Sequence, residues 1–308
     1  PAWKAAIGSF VIACGLALTW WGMSAIEVAT ASIEGFVMAL WPIVLVIIAA
    51  VFTYNLCVRT GAMDVIGSMI TSLSRDRRVL ALLVAWCFGG FMEGMSGFGT
   101  AVAIPAGMLA ALGFPPLQAV LVCLVANGVP TCFGSVGVPT VSLAGLTGLD
   151  PIQLAFTEML QIAPFFVIVP FIIVMIAAEP ANDASAKLGL AARLRGAGMI
   201  ALASGVAYAL PSLAVAAFVG PELTVVVGSL CSLLVTAMLA RRQKTVATEF
   251  EMHVDAAEHV TARRALRAWF CFILIFVLLL LTSKLVPAVN AWLAQFSSAV
   301  TIFSGADP

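Results

Sequence analysis

Glu93-Gly94-Met95-Ser96-Gly97-Phe98-Gly99-Thr100 lies in the middle of apolar sequence, and its reading decides the fold. Three glycines in six residues make a continuous helix costly, because glycine gives up more backbone entropy than alanine. A helix break frees N–H and C=O groups that hydrocarbon cannot satisfy, so it is tolerated only inside protein or beside a water-filled cavity. Glu93 adds an ionisable group at membrane depth, which marks a functional site. Two further breaks follow, Asn127-Gly128-Val129-Pro130 and Gly134-Ser135-Val136-Gly137-Val138-Pro139-Thr140. Paired breaks in apolar segments point to the substrate site of a secondary transporter.

The surrounding composition sets the class. Of 308 residues, 62% are hydrophobic and 10% charged, with mean hydropathy +1.12. Soluble domains carry about 25% charged residues. The chain therefore reads as an all-α polytopic membrane protein with the lipid bilayer as its first partner. All seven cysteines sit in apolar runs and none forms a CxxC pair, so they read as free thiols rather than disulfides or metal ligands. No cofactor, metal or nucleic-acid partner is expected. The first apolar run lacks a small-residue cleavage pattern and is read as a true span.

The pattern divides the chain as follows. Residues 1–58 hold two spans, about Ala5–Met23 and Phe36–Tyr54, joined by a loop with Glu27 and Glu34. Residues 59–78 hold a short amphipathic helix, Thr60 to Leu73, on the membrane surface, closed by Ser74-Arg75-Asp76-Arg77-Arg78. Residues 79–178 form the transport core. A polar loop covers 179–195, a span pair 196–240, a helical linker 241–267, and a last span with its C-terminal segment 268–308. With the N-terminus inside, Lys4, Arg59, the Arg75–Arg78 cluster, Lys187, Arg193, Arg195 and the basic residues of 241–267 are all cytoplasmic. Only Lys284 is left outside, a bias that sets the orientation. The chain is then inside at Arg78 and again at Glu179, so the core crosses an even number of times.

Val79–Met92 and Ala101–Leu112 span only about 18–21 Å each at 1.5 Å per residue, short of the ~30 Å hydrocarbon thickness. They suit a re-entrant hairpin with Glu93–Thr100 at its tip. Pro116 to Asp150 then crosses as a helix broken around Asn127–Thr140, and Ile152–Ala178 returns. The mirror order satisfies the same parity, and in either the breaks can meet near mid-membrane.

The core holds no Lys or Arg between Arg78 and Lys187. An anion there has to be held by N–H groups at half-helix N-termini, such as the one opening near Thr100, and by small polar residues. Ser96, Gly97, Gly99, Thr100, Asn127, Ser135 and Thr140 are the candidate substrate-binding residues; the plainer reading is helix packing. Glu93 is the candidate proton-coupling group, set against a structural cap for the break. Glu158, two turns into its helix at a depth of roughly 12 Å, is a second candidate or a packing residue. Gly94-Met95-Ser96-Gly97 also matches the GxSG pattern of rhomboid-like intramembrane serine proteases. That chemistry needs a base near the serine, and the only histidines, His253 and His259, lie in the charged linker. A channel would show a regular pore-lining face or charged ring, which is not present in the sequence.

The residues resemble the L-lactate permease family. Glu93-Gly94-x-x-Gly97-Phe98-Gly99-Thr100, Gly113-Phe114-Pro115-Pro116-Leu117-Gln118-Ala119, Asn127 followed by Pro130, and Phe133-Gly134-x-x-Gly137-x-Pro139 carry the resemblance. Trp41-Pro42, Asp76-Arg77-Arg78 and Gly220-Pro221-Glu222-Leu223 extend it over nearly the whole chain. The resemblance implies proton-coupled symport of L-lactate and related 2-hydroxymonocarboxylates such as glycolate across a bacterial inner membrane; a sodium-coupled organic-anion symporter is the alternative. It also implies an inverted-repeat architecture, of which this chain is expected to lack the first helix and the C-terminal portion. Met95 and Ser96 stand where small residues are common after Glu-Gly, and Ala101 where proline is frequent.

Overall fold

A computed structural model of the chain describes residues 2–97, 99–179, 189–243, 250–252, 261–282 and 286–295. Among them the chain is helical with no strand, and it divides into two compact units, Pro1–Ala49 and Ala50–Pro308. The first unit holds α1 (Ala2–Thr19) and α2 (Ala25–Met38). Helix α2 occupies the stretch expected as a loop. Ser24 and Glu27 start it with a reciprocal capping box, the Ser24 N–H donating to Glu27 Oε2 and the Glu27 N–H to Ser24 Oγ. The expected span Phe36–Tyr54 is interrupted at Ala39–Val44, where Trp41 leaves helical geometry (φ −138°, ψ 110°) and Pro42 follows. Proline removes an N–H and crowds the preceding turn.

The unit boundary falls within α3 (Leu45–Arg59). In the second unit α4 (Ala62–Thr71) is the amphipathic helix read from the sequence, but its apolar face is not left for lipid. Met63, Val65, Ile66 and Ile70 are buried, and the helix packs on α13 (Ala262–Thr282). Gly67 faces Met108 on the same side.

Helix α5 runs unbroken from Arg77 to Met95, with a wider π-helical turn at Leu82–Phe88, and every residue of it after Arg77 is buried. At 19 residues it is longer than the arm expected from the sequence and measures about 28 Å. The chain turns at Ser96–Gly99 and doubles back as α6 (Thr100–Ala111). A Cβ on Gly89 would stand 3.4 Å from Ala101 O and 3.6 Å from Pro105 Cγ. The Arg77 guanidinium lies 5.0 Å over the Phe114 ring, which closes the open end of this hairpin.

Helix α7 (Pro116–Asn127), a 3₁₀ turn (Pro130–Phe133) and α8 (Gly134–Thr147) make a broken helix pair, bent by 65°, where the sequence places the broken crossing. Helix α9 (Pro151–Ala177) returns, capped by Asp150 on the Ile152 and Gln153 N–H groups. Short α10 (Leu190–Leu194) leads to the antiparallel pair α11 (Gly198–Phe218) and α12 (Pro221–Arg242). Helix α14 (Pro287–Ala294) follows α13, and the expected 241–267 linker falls mostly outside the described residues. By length and composition, five of the described helices are able to cross a membrane, or six if the bent pair counts as one crossing.

The ends expected on the cytoplasmic side gather in one place. Arg78 donates to both Asp76 carboxylate oxygens (3.0 and 2.7 Å) and to Arg193 O and Arg195 O (2.7 and 3.1 Å), and it lies 3.8 Å over the Phe250 ring. Gln243 donates to Asp76 Oδ2, Arg77 to Gln118 Oε1, and Gln118 to Ile176 O. The sequence reads this arginine cluster as a topology signal. In the fold, Arg78 and Asp76 are also a buried pair, 1% and 0% exposed, that ties four chain segments together.

Candidate functional site

The site is built where the hairpin tip meets the broken crossing. Ser96 ends α5: its N–H and its hydroxyl both donate to Met92 O (2.8 and 2.9 Å). Its own carbonyl accepts from Ser135 Oγ at 2.9 Å, which joins the two breaks directly. This contact is possible because residue 97 is glycine. Its φ is +53°, and a Cβ there would strike Ser135 Oγ and stand 3.0 Å from Ser135 N. Gly134 plays the same part for Glu93, since a Cβ on it would collide with Glu93 Oε1. Ser135, Val136 and Gly137 are all left-handed (φ 47°, 63° and 72°). For a β-branched residue such as Val136 this is a strained conformation. It persists here because Gly134 lies under Glu93, Ser135 is bonded to Ser96, and Gly137 abuts the Pro221 carbonyl.

Glu93 is 3% exposed. Asn127, the last residue of α7, lies beside its side chain, and Glu93 Oε2 and Asn127 Oδ1 have no hydrogen-bond partner among the described residues. The ion pairs among the described residues are Arg75–Glu251, Arg78–Asp76 and Arg193–Glu179, and none reaches Glu93 or Glu158. An isolated charge in such a setting is far costlier than a neutral carboxyl.

The expected residues fall into three places. Glu93, Ser96, Gly97 and Ser135 form one buried cluster, with the half-buried Asn127 at its edge. Thr140 and Glu158 form a second, with Thr140 Oγ1 2.6 Å from Glu158 Oε2 and 2.9 Å from Cys132 O. Thr140 is buried and Glu158 half-buried on α9, and the 3₁₀ turn separates the pair from Glu93. Gly99 and Thr100 open α6 without a side-chain cap, and a Cβ on Gly99 would meet nothing within 4 Å. That end is open rather than packed against the second break, as suits a helix N-terminus facing a ligand.

The breaks meet, but not halfway along the bundle. Gly94 packs on Val225 and Val226, and Gly137 on Pro221 and Glu222, so the junction is level with the first turns of α12. Helix α5 continues three residues past the expected arm at this end, through Glu93, Gly94 and Met95. Nothing in the sequence marks Pro221, Glu222 or Tyr208 as neighbours of the site. The Gly220-Pro221-Glu222 turn was visible, but nothing local shows what packs on it. No cluster of three or more metal-ligating side chains occurs among the described residues.

Apolar helices with two interlocked backbone breaks around a buried carboxylate define the class: an all-α, multi-pass membrane protein of broken-helix type. Residues 1–305 match the L-lactate permease family. The chain is 42% identical over 276 residues to an L-lactate permease of Streptococcus iniae, covering 90% of this chain and 55% of the relative. It is 33% identical over 278 residues to an L-lactate permease of Escherichia coli strain K12, and 32% over 286 residues to Glycolate permease GlcA of the same strain. These cover 87% of this chain and 48% and 49% of the relatives. The chain belongs to the L-lactate permease family, and it spans about half the length of the curated relatives it matches. No solved structure matches it.

Proposed function

We propose that this chain carries one half of the transport machinery of a proton-coupled symporter for L-lactate, glycolate or a closely related 2-hydroxymonocarboxylate, in a bacterial inner membrane with the chain's N-terminus cytoplasmic. The observation that supports it most is the junction itself. Two helix breaks are bonded to one another around a carboxyl group that has no basic partner among the described residues. Paired breaks supply N–H groups and small polar side chains for an anion. In this reading the open N-terminus of α6 and the Ser96–Ser135 region hold the substrate carboxylate. Glu93 takes the proton, held in place by Asn127. Glu158 and Thr140 are a second polar pair behind the 3₁₀ turn, available to the same cycle. The substrate class comes from the relatives' names, L-lactate permease and glycolate permease.

Those names speak against the protease reading of Ser96, whose hydroxyl donates to Met92 O and whose candidate bases, His253 and His259, lie outside the described residues. In full-length protein, Glu93→Gln keeps shape and most hydrogen bonding but removes the titration. Uphill uptake driven by a pH gradient should be abolished while exchange of substrate across the membrane survives. Accumulation equal to wild type would remove Glu93 as the coupling group. Loss of exchange together with loss of fold would make it a structural cap. Accumulation on a sodium gradient alone would favour the sodium symporter.

A further inference from the structure

Six buried side-chain polar atoms have no hydrogen-bond partner among the described protein groups: Arg77 Nε, Trp86 Nε1, Glu93 Oε2, Asn127 Oδ1, Tyr208 Oη and Gln243 Oε1. Arg77 and Gln243 belong to the polar end around Arg78. The other four are not scattered. The Trp86 and Tyr208 rings meet edge to face at 5.0 Å. The Tyr208 hydroxyl lies against Gly90, where a Cβ would collide with it. Glu93 follows Gly90 by three residues, one turn along the same side of α5, and Asn127 lies beside Glu93. At the other end of this line, Cys87 touches a hydroxyl cluster on α11 and α12. Its Sγ is 3.6 Å from Ser204, 3.4 Å from Ser232 and 3.6 Å from Thr236, and the two serine hydroxyls are 2.9 Å apart.

Tyr208 is fully buried and Trp86 is 1% exposed. The Ser229 hydroxyl beside Tyr208 donates to Val226 O at 2.9 Å. A buried polar group without a partner incurs its full desolvation penalty, and native interiors rarely leave such groups in a row. The chemistry of the four says what satisfies them. An indole N–H only donates, a phenol does both, and a carboxylate and a carboxamide oxygen accept. A cation would be repelled by the indole N–H and an anion by the carboxylate. Water serves all of them, since it both donates and accepts.

We propose that a file of internal water molecules runs along α5 between the Cys87–Ser204–Ser232 cluster and Glu93, through Trp86 and Tyr208, and delivers the proton to Glu93. Each water, and the Tyr208 hydroxyl, accepts one proton and passes on another, while the Trp86 N–H only donates a hydrogen bond that holds the file in place; Tyr208 ends unchanged and the net result is one proton moved to the carboxylate. The existence of the file rests on the unpartnered groups alone; its use rests on the proton-coupling reading of Glu93.

Two measurements on full-length protein test these parts separately. Radiolytic hydroxyl-radical footprinting labels buried side chains that touch internal water. Tyr208 and Trp86 should be modified, while Phe166, equally buried and edge to face with both rings, should not. Labelling of Tyr208 no greater than that of Phe166 would overturn the file. Tyr208→Phe removes a hydroxyl that no described protein group holds and keeps the ring packing, so the protein should still fold. In proteoliposomes the substitution should slow proton-coupled uptake about tenfold, the equivalent of ~1.4 kcal/mol in the barrier, and leave substrate exchange unchanged. Undiminished proton-coupled uptake, or uptake and exchange falling together, would overturn the proton route. Wild-type protein that is labelled at Tyr208 yet shows no proton-driven uptake would keep the file and overturn its use, along with the coupling role of Glu93.

Discussion

Gly97→Ala tests the junction on which the functional reading depends. The substitution meets two obstacles. The φ of +53° is a left-handed conformation, which costs an L side chain roughly 1–2 kcal/mol. The new Cβ would also strike Ser135 Oγ and stand 3.0 Å from Ser135 N, and overpacking of this kind costs about 1–3 kcal/mol. Together the expected loss is about 2–5 kcal/mol. Gly99→Ala is the internal comparison. Its φ is +87°, but nothing lies within 4 Å of its Cβ position, so only the conformational cost of roughly 1–2 kcal/mol applies. Thermal melting of the two variants in detergent should therefore separate clearly, with Gly97→Ala the lower. Adding Ser135→Gly removes the side chain that the new methyl meets. The double variant should be less destabilised than the sum of the two single changes by about 1 kcal/mol, the coupling expected of touching residues. Equal melting of Gly97→Ala and Gly99→Ala, with no coupling to residue 135, would refute the close approach of the two breaks.

Two other outcomes follow from the polar end and from the orientation. Arg78→Met leaves Asp76 charged and buried and frees the carbonyls of Arg193 and Arg195, so it should cost about 3–5 kcal/mol; melting like wild type would show that the pair is not part of the folded core. Leu149→Cys, between α8 and α9, should be labelled from outside the cell, and Leu190→Cys, beside the Arg78 cluster, only from inside, in a background cleared of reactive native thiols; the reverse pattern would invert the topology.

Much of this molecule is determined locally and was legible in the sequence. Ile, Leu, Val and Phe at this density fix helices in lipid, because hydrocarbon offers the backbone no other hydrogen-bond partner. The breaks at Ser96–Gly99 and Gly134–Gly137 follow from glycine and proline at those positions, and Asp150-Pro151 starts α9 as a cap and first turn should. The lack of a basic residue from Gly99 to Glu179 and the basic bias of the other loops are likewise properties of the string.

What the string does not contain is which surfaces meet. The bond from Ser135 to Ser96 joins residues 39 apart, and Arg78 reaches carbonyls 115 and 117 positions away. An arginine before an apolar run obeys the positive-inside rule whether it faces water or is buried on Asp76, so only packing tells the two apart. The apolar face of α4 is the same pattern whether lipid or α13 covers it. Tyr208 in a long apolar helix carries no local sign that Gly90 makes room for its hydroxyl one turn from Glu93. Composition and spacing act over a few residues, whereas burial and hydrogen-bond pairing depend on neighbours brought from far along the chain, and these the tertiary structure alone decided.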